Sequence, residues 1–223
     1  MGDGFGEFTE SKENSQREVS EYQDIRPEGD DSVEDAKAYW DKVYESMNAD
    51  DAEVINPRQE VIDGKVNYFD DNGVLYRIEN DLVPNNQYEM KGYKYSTDEK
   101  GRIKSAEGLL HMRDPDYERN MEAVRHYEGQ DYREGDDRGH LIGHQFGGSD
   151  RLENLVPQDA HINQNDFRIF ELALAERVKD NDTVIVLIEP IYDGDTNRPS
   201  DIVVTYSING VEDIRIFPNE KEG

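Results

Sequence analysis

Asp137-Arg138-Gly139-His140-Leu141-Ile142-Gly143-His144-Gln145-Phe146-Gly147-Gly148 is the stretch on which the reading of this chain turns. It begins with a histidine set among Asp, Arg and Gly and ends in a glycine-rich loop that continues through Ser149 and Asp150. Asn154-Leu-Val-Pro-Gln158 follows as a short strand, with Pro157 near its end, where an edge can accept it. His161 to Lys179 then reads as a helix, with Ile162, Phe167, Phe170, Leu174 and Val178 as core contacts. A histidine so placed can be oriented as a general base, one ring nitrogen taking a proton from water while an Asp or a backbone carbonyl fixes the other. The competing reading of His140 is a structural histidine, and four residues alone do not separate the two.

Working outward, Val184–Pro190 and Ile202–Ile208 are buried strands, and Asn209-Gly210 turns the second into Val211–Phe217. Upstream, Val66–Phe69 and Val74–Ile78 flank Asp70-Asp-Asn-Gly73 as a hairpin, because Asn-Gly tolerates positive φ. Leu82-Val83-Pro84 breaks that pattern. Tyr88–Met90 and Tyr93–Thr97 form a second hairpin about Lys91-Gly92, and Asp98–Gly101 turns into Arg102–Leu110. Residues 116–127 carry Tyr117, Met121, Val124 and Tyr127 at helical spacing. The fold class this implies is α+β with an antiparallel sheet core. In front of it, residues 1–30 read as an acidic disordered lead and residues 31–60 as an amphipathic helix, Val33 to Asn48, plus a linker. Residues 61–223 make up the main domain, and there is no internal repeat.

Composition bounds the rest. The 223 residues carry 52 Asp and Glu against 25 Lys and Arg, a formal net charge of -27. Such a chain should repel nucleic acid, since non-specific binding is mostly phosphate neutralised by basic side chains. The first 60 residues alone hold 18 acidic and 6 basic groups, a net of -12. No apolar run approaches a membrane span, which argues against membrane insertion. The first residues lack the basic and apolar regions of a signal peptide, so export would need a removed signal or another route. Zero cysteines exclude disulfides, a thiol nucleophile and thiolate metal sites.

Several motifs in fixed order change the expectation set by charge. Gly139–Ile142, Phe146–Gly148, Asn154–Pro157 and Asn163, preceded by Asp137-Arg138, resemble the DNA/RNA non-specific endonucleases, ββα-metal (His-Me finger) nucleases with an Asp-Arg-Gly-His motif. The likeness is nearest to the short bacterial versions found as secreted nucleases and toxin nuclease domains. It extends to Tyr88–Ile103, to Arg198-Pro-Ser200 and to Val203–Ile208, roughly residues 80–218, and leaves residues 1–60 out. The resemblance implies a ββα-metal core at about 137–179 embedded in the sheet domain.

It also implies roles. His140 would be the general base that activates water, and Asn163 the protein side chain directly on a catalytic Mg²⁺ (or Mn²⁺), for which its amide oxygen is a suitable hard ligand. Glu171, about two helical turns on, would hold metal-bound water. Asp137 and Arg138 would position the site, and Gln158 would support it. Arg119 is the best match for the family's phosphate-clamping arginine, with Arg113 and Arg125 as alternatives. The substrate would be DNA, RNA or both, the setting outside the producing cell, and a delivered toxin would need an immunity protein that covers the site. Against this, Ala175 stands where some members carry a basic residue, with Arg177 on a different face, and residues 113–138 hold nine acids beside their five arginines. The rival class is a non-catalytic acidic DNA mimic or immunity-type binding protein, which would have no use for His140 and Asn163 in this arrangement. His140, His144 and His161 could also be read as a zinc site, against which Gly143 breaks the pair; packing beneath the site is the expectation for His144. His111 and His126 read as surface histidines, and Asp193–Asn197 as a turn.

Overall fold

The structure, a computed structural model, describes residues 58–114 and 131–220. The expected disordered lead, the helix over Val33–Asn48, the helix over residues 116–127, Arg119, Arg125 and His126 all lie outside the described residues.

The central element is a six-stranded antiparallel sheet in the order β12-β11-β10-β7-β6-β5. Its strands are β5 (Gln87–Met90), β6 (Tyr93–Thr97), β7 (Ile103–Leu109), β10 (Val184–Ile191), β11 (Asp201–Ile208) and β12 (Val211–Pro218). β10 alternates buried and half-buried residues along its whole length, the period-two pattern of a sheet with one face on the core. Asn209 and Gly210 both have positive φ, the conformation a two-residue turn needs to match strand twist. A second sheet, β1 (Arg58–Ile62), β2 (Lys65–Phe69), β3 (Leu75–Ile78) and β4 (Asp81–Leu82), precedes it in the chain. Strand β1 thus begins inside the stretch read from sequence as linker.

Between β7 and β10 the chain forms the finger. β8 (Asp136–His140) pairs antiparallel with β9 (Leu155–Asp159), from Asp136 opposite Asp159 to His140 opposite Leu155. The helix expected over His161–Lys179 is present but opens with a π-turn, Ile162–Phe167, before α1 (Arg168–Lys179). Phe167 and Phe170 meet Phe217 at 5.0 and 5.5 Å, and Phe170 meets Tyr206 edge-on at 5.2 Å, which docks the helix on the central sheet. The expected contacts Ile162, Phe167, Phe170 and Leu174 are buried, and Val178 packs against them half-buried.

Two buried ion pairs brace this arrangement. Arg198 grips Asp136 with Nε to Oδ2 and Nη2 to Oδ1, both 2.8 Å, at side-chain exposures of 5% and 2%. Arg77 of β3 faces Glu153 at 4.0 Å, and Glu153 in turn accepts a 2.7 Å hydrogen bond from Ser149 Oγ. Tyr88 stacks between Tyr76 and Tyr95 at 5.0 and 5.5 Å beside that pair, so aromatic packing joins the two sheets. Among the described residues no helix is long and apolar enough to cross a membrane.

Candidate active site

Strand β8 presents the Asp-Arg-Gly-His residues because β9 pairs with it, not because its own sequence alternates. Asn154 pins the loop that follows. Its Oδ1 accepts from Ile142 N at 2.9 Å, and its Nδ2 donates to Ile142 O at 2.8 Å and Ser149 O at 2.9 Å. Gly147, at φ 78°, closes the short turn His144–Phe146 in the left-handed region, and Tyr93 Oη donates to Phe146 O at 2.6 Å. The loop is therefore held from three sides.

Two hydrogen-bonded groups result. In the first, Asp150 Oδ1 lies 2.9 Å from His140 Nε2 and 3.0 Å from His144 Nδ1, and Arg113 Nη1 lies 2.6 Å from His144 Nε2. Burial alone would raise the Asp150 carboxyl, but hydrogen bonds from both histidines and their charge hold it down at about 2. Burial lowers His144, and Arg113 adds to this against the pull of Asp150. In the second group, Asn163 Nδ2 and Gln164 Nε2 donate to Asp137 Oδ2 at 3.0 and 2.7 Å. Asn163 sits in the π-turn, a helix irregularity often found at functional sites.

The remaining candidates surround these groups. Gln158 is wholly buried opposite Asp137, with neither amide atom hydrogen-bonded among the described residues. It packs beneath Gly139, where a Cβ would fall 2.0 Å from Gln158 Oε1. Glu171 lies against Gly143, where a Cβ would meet Glu171 Oε1 at 2.2 Å. Desolvation pushes its carboxyl up to about 8, opposed by the charge of Arg168. Arg138 is half-buried on β8 opposite Pro157.

Sequence reasoning missed Asp150, read as part of a loop, and placed Arg113 second to Arg119. His111 departs from the surface reading: it is half-buried, stacks on Tyr93 at 5.3 Å, and burial lowers its pKa. Its place at the end of β7 beside a core tyrosine carries no one-dimensional signal. His161 stands by Asn165, with Nδ1 3.2 Å from its amide nitrogen, and takes no part in the pair formed by His140 and His144. Arg177 is ion-paired with Asp182 at 2.8 Å at the end of α1, and Ala175 is buried in the core. Asp193–Asn197 is a turn whose Gly194 and Thr196 carbonyls accept from Arg102.

A DNA/RNA non-specific endonuclease family model matches residues 84–210, which span β5, β6, β7, β10 and β11 of the central sheet, the finger and α1. The chain belongs to this family. It is 36% identical over 142 residues to the type VII secretion system protein EssD of Staphylococcus aureus strain USA300, and equally so to EssD of strain NCTC 8325 / PS 47. The match takes in 58% of this chain and 22% of either relative, so it spans about a fifth of their length. Among solved structures, magnesium-bound NucA from Streptococcus agalactiae is similar at a TM-score of 0.45 and 19% identity, covering 81% of this chain and 90% of that one.

Proposed function

We propose that this chain is a nuclease that hydrolyses phosphodiester bonds of DNA, RNA or both with a divalent ion, Mg²⁺ or Mn²⁺, with His140 as general base and Asn163 as the protein ligand to the ion. The observation that carries the reading is the 3.0 Å hydrogen bond from Asn163 Nδ2 to Asp137 Oδ2, which ties the candidate ligand to the strand that carries the candidate base. The residues fit such an ion. Asn163 spends its amide nitrogen on Asp137, so Oδ1 is the donor left for a hard cation. The orphaned amide of Gln158 on the same face, and the Glu171 carboxyl lifted by desolvation, suit water held on a cation. Bound there, the ion would supply Lewis-acid neutralisation of charge on the phosphate and leaving oxygen.

The chain's own residues do the rest. His140 takes the proton of the attacking water, a contribution of about 10²–10⁴-fold. Arg113 stands at the site as a cation able to hold a phosphate oxygen, beside the assignment of Arg119 made from sequence. Asp137 orients Asn163, and Arg138 belongs to the same strand as a positioning group. The likeness to a protein named for a secretion system supports export to act outside the producing cell; a toxin role, with an immunity protein in the producer, is what the family resemblance implies.

Cleavage of plasmid DNA and of RNA with Mg²⁺, with Mn²⁺ and with chelator tests the reading, alongside His140→Ala. Degradation that stops with chelator and in His140→Ala is the expected result. Undiminished cleavage in chelator, or in a folded His140→Ala, would overturn it.

A further inference from the structure

Asp150 is nearly enclosed, with 4% of its side chain exposed, and one of its oxygens faces two imidazoles. Elementary donor and acceptor rules fix the hydrogens around it. A guanidinium can only donate, so His144 Nε2, 2.6 Å from Arg113 Nη1, must offer a lone pair. An ionised carboxylate can only accept, so the nitrogens facing Asp150 Oδ1, His140 Nε2 and His144 Nδ1, must both carry hydrogen. His144 is then neutral, donating on one side and accepting on the other. A neutral His140 then has its lone pair at Nδ1, the nitrogen turned away from Asp150.

We propose that Asp150 is a positioning residue that sets His140 as a base at Nδ1 and, through neutral His144, fixes the Arg113 guanidinium, so that one carboxylate oxygen aligns both the proton acceptor and a phosphate-holding cation. The inference rests on the reading of His140 as the base and goes beyond it by assigning the nitrogen, the residue that chooses it, and the link to Arg113. The depressed Asp150 pKa keeps the carboxylate an acceptor at any pH where a nuclease works. The lowered His144 pKa agrees with a ring that faces a guanidinium and stays neutral. The loop is built to hold Asp150 still. Ser149 on one side gives its carbonyl to Asn154 and its hydroxyl to Glu153, and Asn154 and Glu153 are themselves fully buried.

A merely structural Asp150 would plug the loop without choosing a tautomer. Long-range ¹H–¹⁵N correlation spectra of the imidazoles, recorded on the full chain without nucleic acid at a pH where both rings are neutral, separate the two. The expected pattern is hydrogen on Nε2 of His140 and on Nδ1 of His144. The reverse tautomer on either ring overturns the proposal whether or not the chain cleaves nucleic acid. Asp150→Asn is near-isosteric and should lower kcat about 10²–10⁴-fold. KM should rise together with that loss, whereas Arg113→Ala should raise KM with a much smaller change in kcat. A folded Asp150→Asn with the wild-type kcat and KM would refute the coupling. Full activity in His140→Ala would instead overturn the base, and the spectra would still decide the tautomers.

Discussion

Asp136→Asn tests how the finger is mounted. Asp136 opens β8, and both of its carboxylate oxygens accept from Arg198 at 2.8 Å, with 2% and 5% of the two side chains exposed. Its Oδ2 also accepts from Arg133 N at 2.9 Å. The amide keeps the shape but removes the charge and one acceptor, leaving a guanidinium buried without its counter-ion. Breaking a buried pair in this way costs about 3–5 kcal/mol. For a domain of this size each kcal/mol is worth roughly 2–4 °C, so Tm should fall by roughly 6–20 °C. Thermal melts followed by near-UV circular dichroism at neutral pH would measure it. The double variant Asp136→Leu/Arg198→Met should regain much of the loss, because apolar groups that fill the space need no counter-charge. The pH dependence has a definite sign. Burial would raise the Asp136 carboxyl, but Arg198's hydrogen bonds and charge, with the Arg133 amide, hold it below the ordinary 3.8. Its stabilising contribution is therefore complete above about 3.8 and disappears as pH falls through the depressed folded value. Wild type and variant should converge in Tm at that acid end. A variant within about 1 kcal/mol of wild type at neutral pH would refute the claim that this pair holds the finger.

Two further substitutions probe the site. Gly143 has φ −59°, which alanine adopts freely, so Gly143→Ala acts through its methyl, which would lie 2.2 Å from Glu171 Oε1. We expect a cost of about 1–3 kcal/mol and Mg²⁺ affinity lower by about 10–100-fold, with Glu171→Asp on top relieving the stability loss but not the affinity, read by calorimetry. Asn163→Ala should weaken Mg²⁺ binding by more than it weakens binding of a non-cleavable oligonucleotide; equal losses in titration calorimetry and fluorescence anisotropy would move the ligand elsewhere.

The hairpins were legible because their turns carry a local mechanism: Asn209-Gly210 and Asp70–Gly73 place flexible residues where the backbone must reverse. β10 and β11 were legible as runs of β-branched residues. β8 was not, since Asp-Asp-Arg-Gly-His has no alternation and becomes a strand only against β9. The π-turn at Ile162–Phe167 escaped for a related reason: the apolar spacing fits an α-helix, and the wider turn is a tertiary outcome. His140, Asn163, Glu171 and Asp137 were singled out as candidates through ordered motifs, whereas Asp150 hides in a Gly-Gly-Ser-Asp loop. Its partners, ten and six residues before it, meet it only once Asn154 has folded that loop back. Arg113 and His144 likewise stand 31 positions apart in the chain. Arg198 belonged to a motif, but that its partner is Asp136 could be seen only in space.

The contact between Arg77 and Glu153 bears on where this protein can be cut. Arg77 lies before residue 84, where the family match begins, and Glu153 lies inside the match, wholly buried. A unit trimmed to residues 84–210 and transplanted into another protein would carry the anion in its interior and leave the cation facing it behind. A cut placed ahead of the four small strands would keep the two together. Any exchange of that front sheet between relatives would have to carry a cation at this position or change the acid it faces.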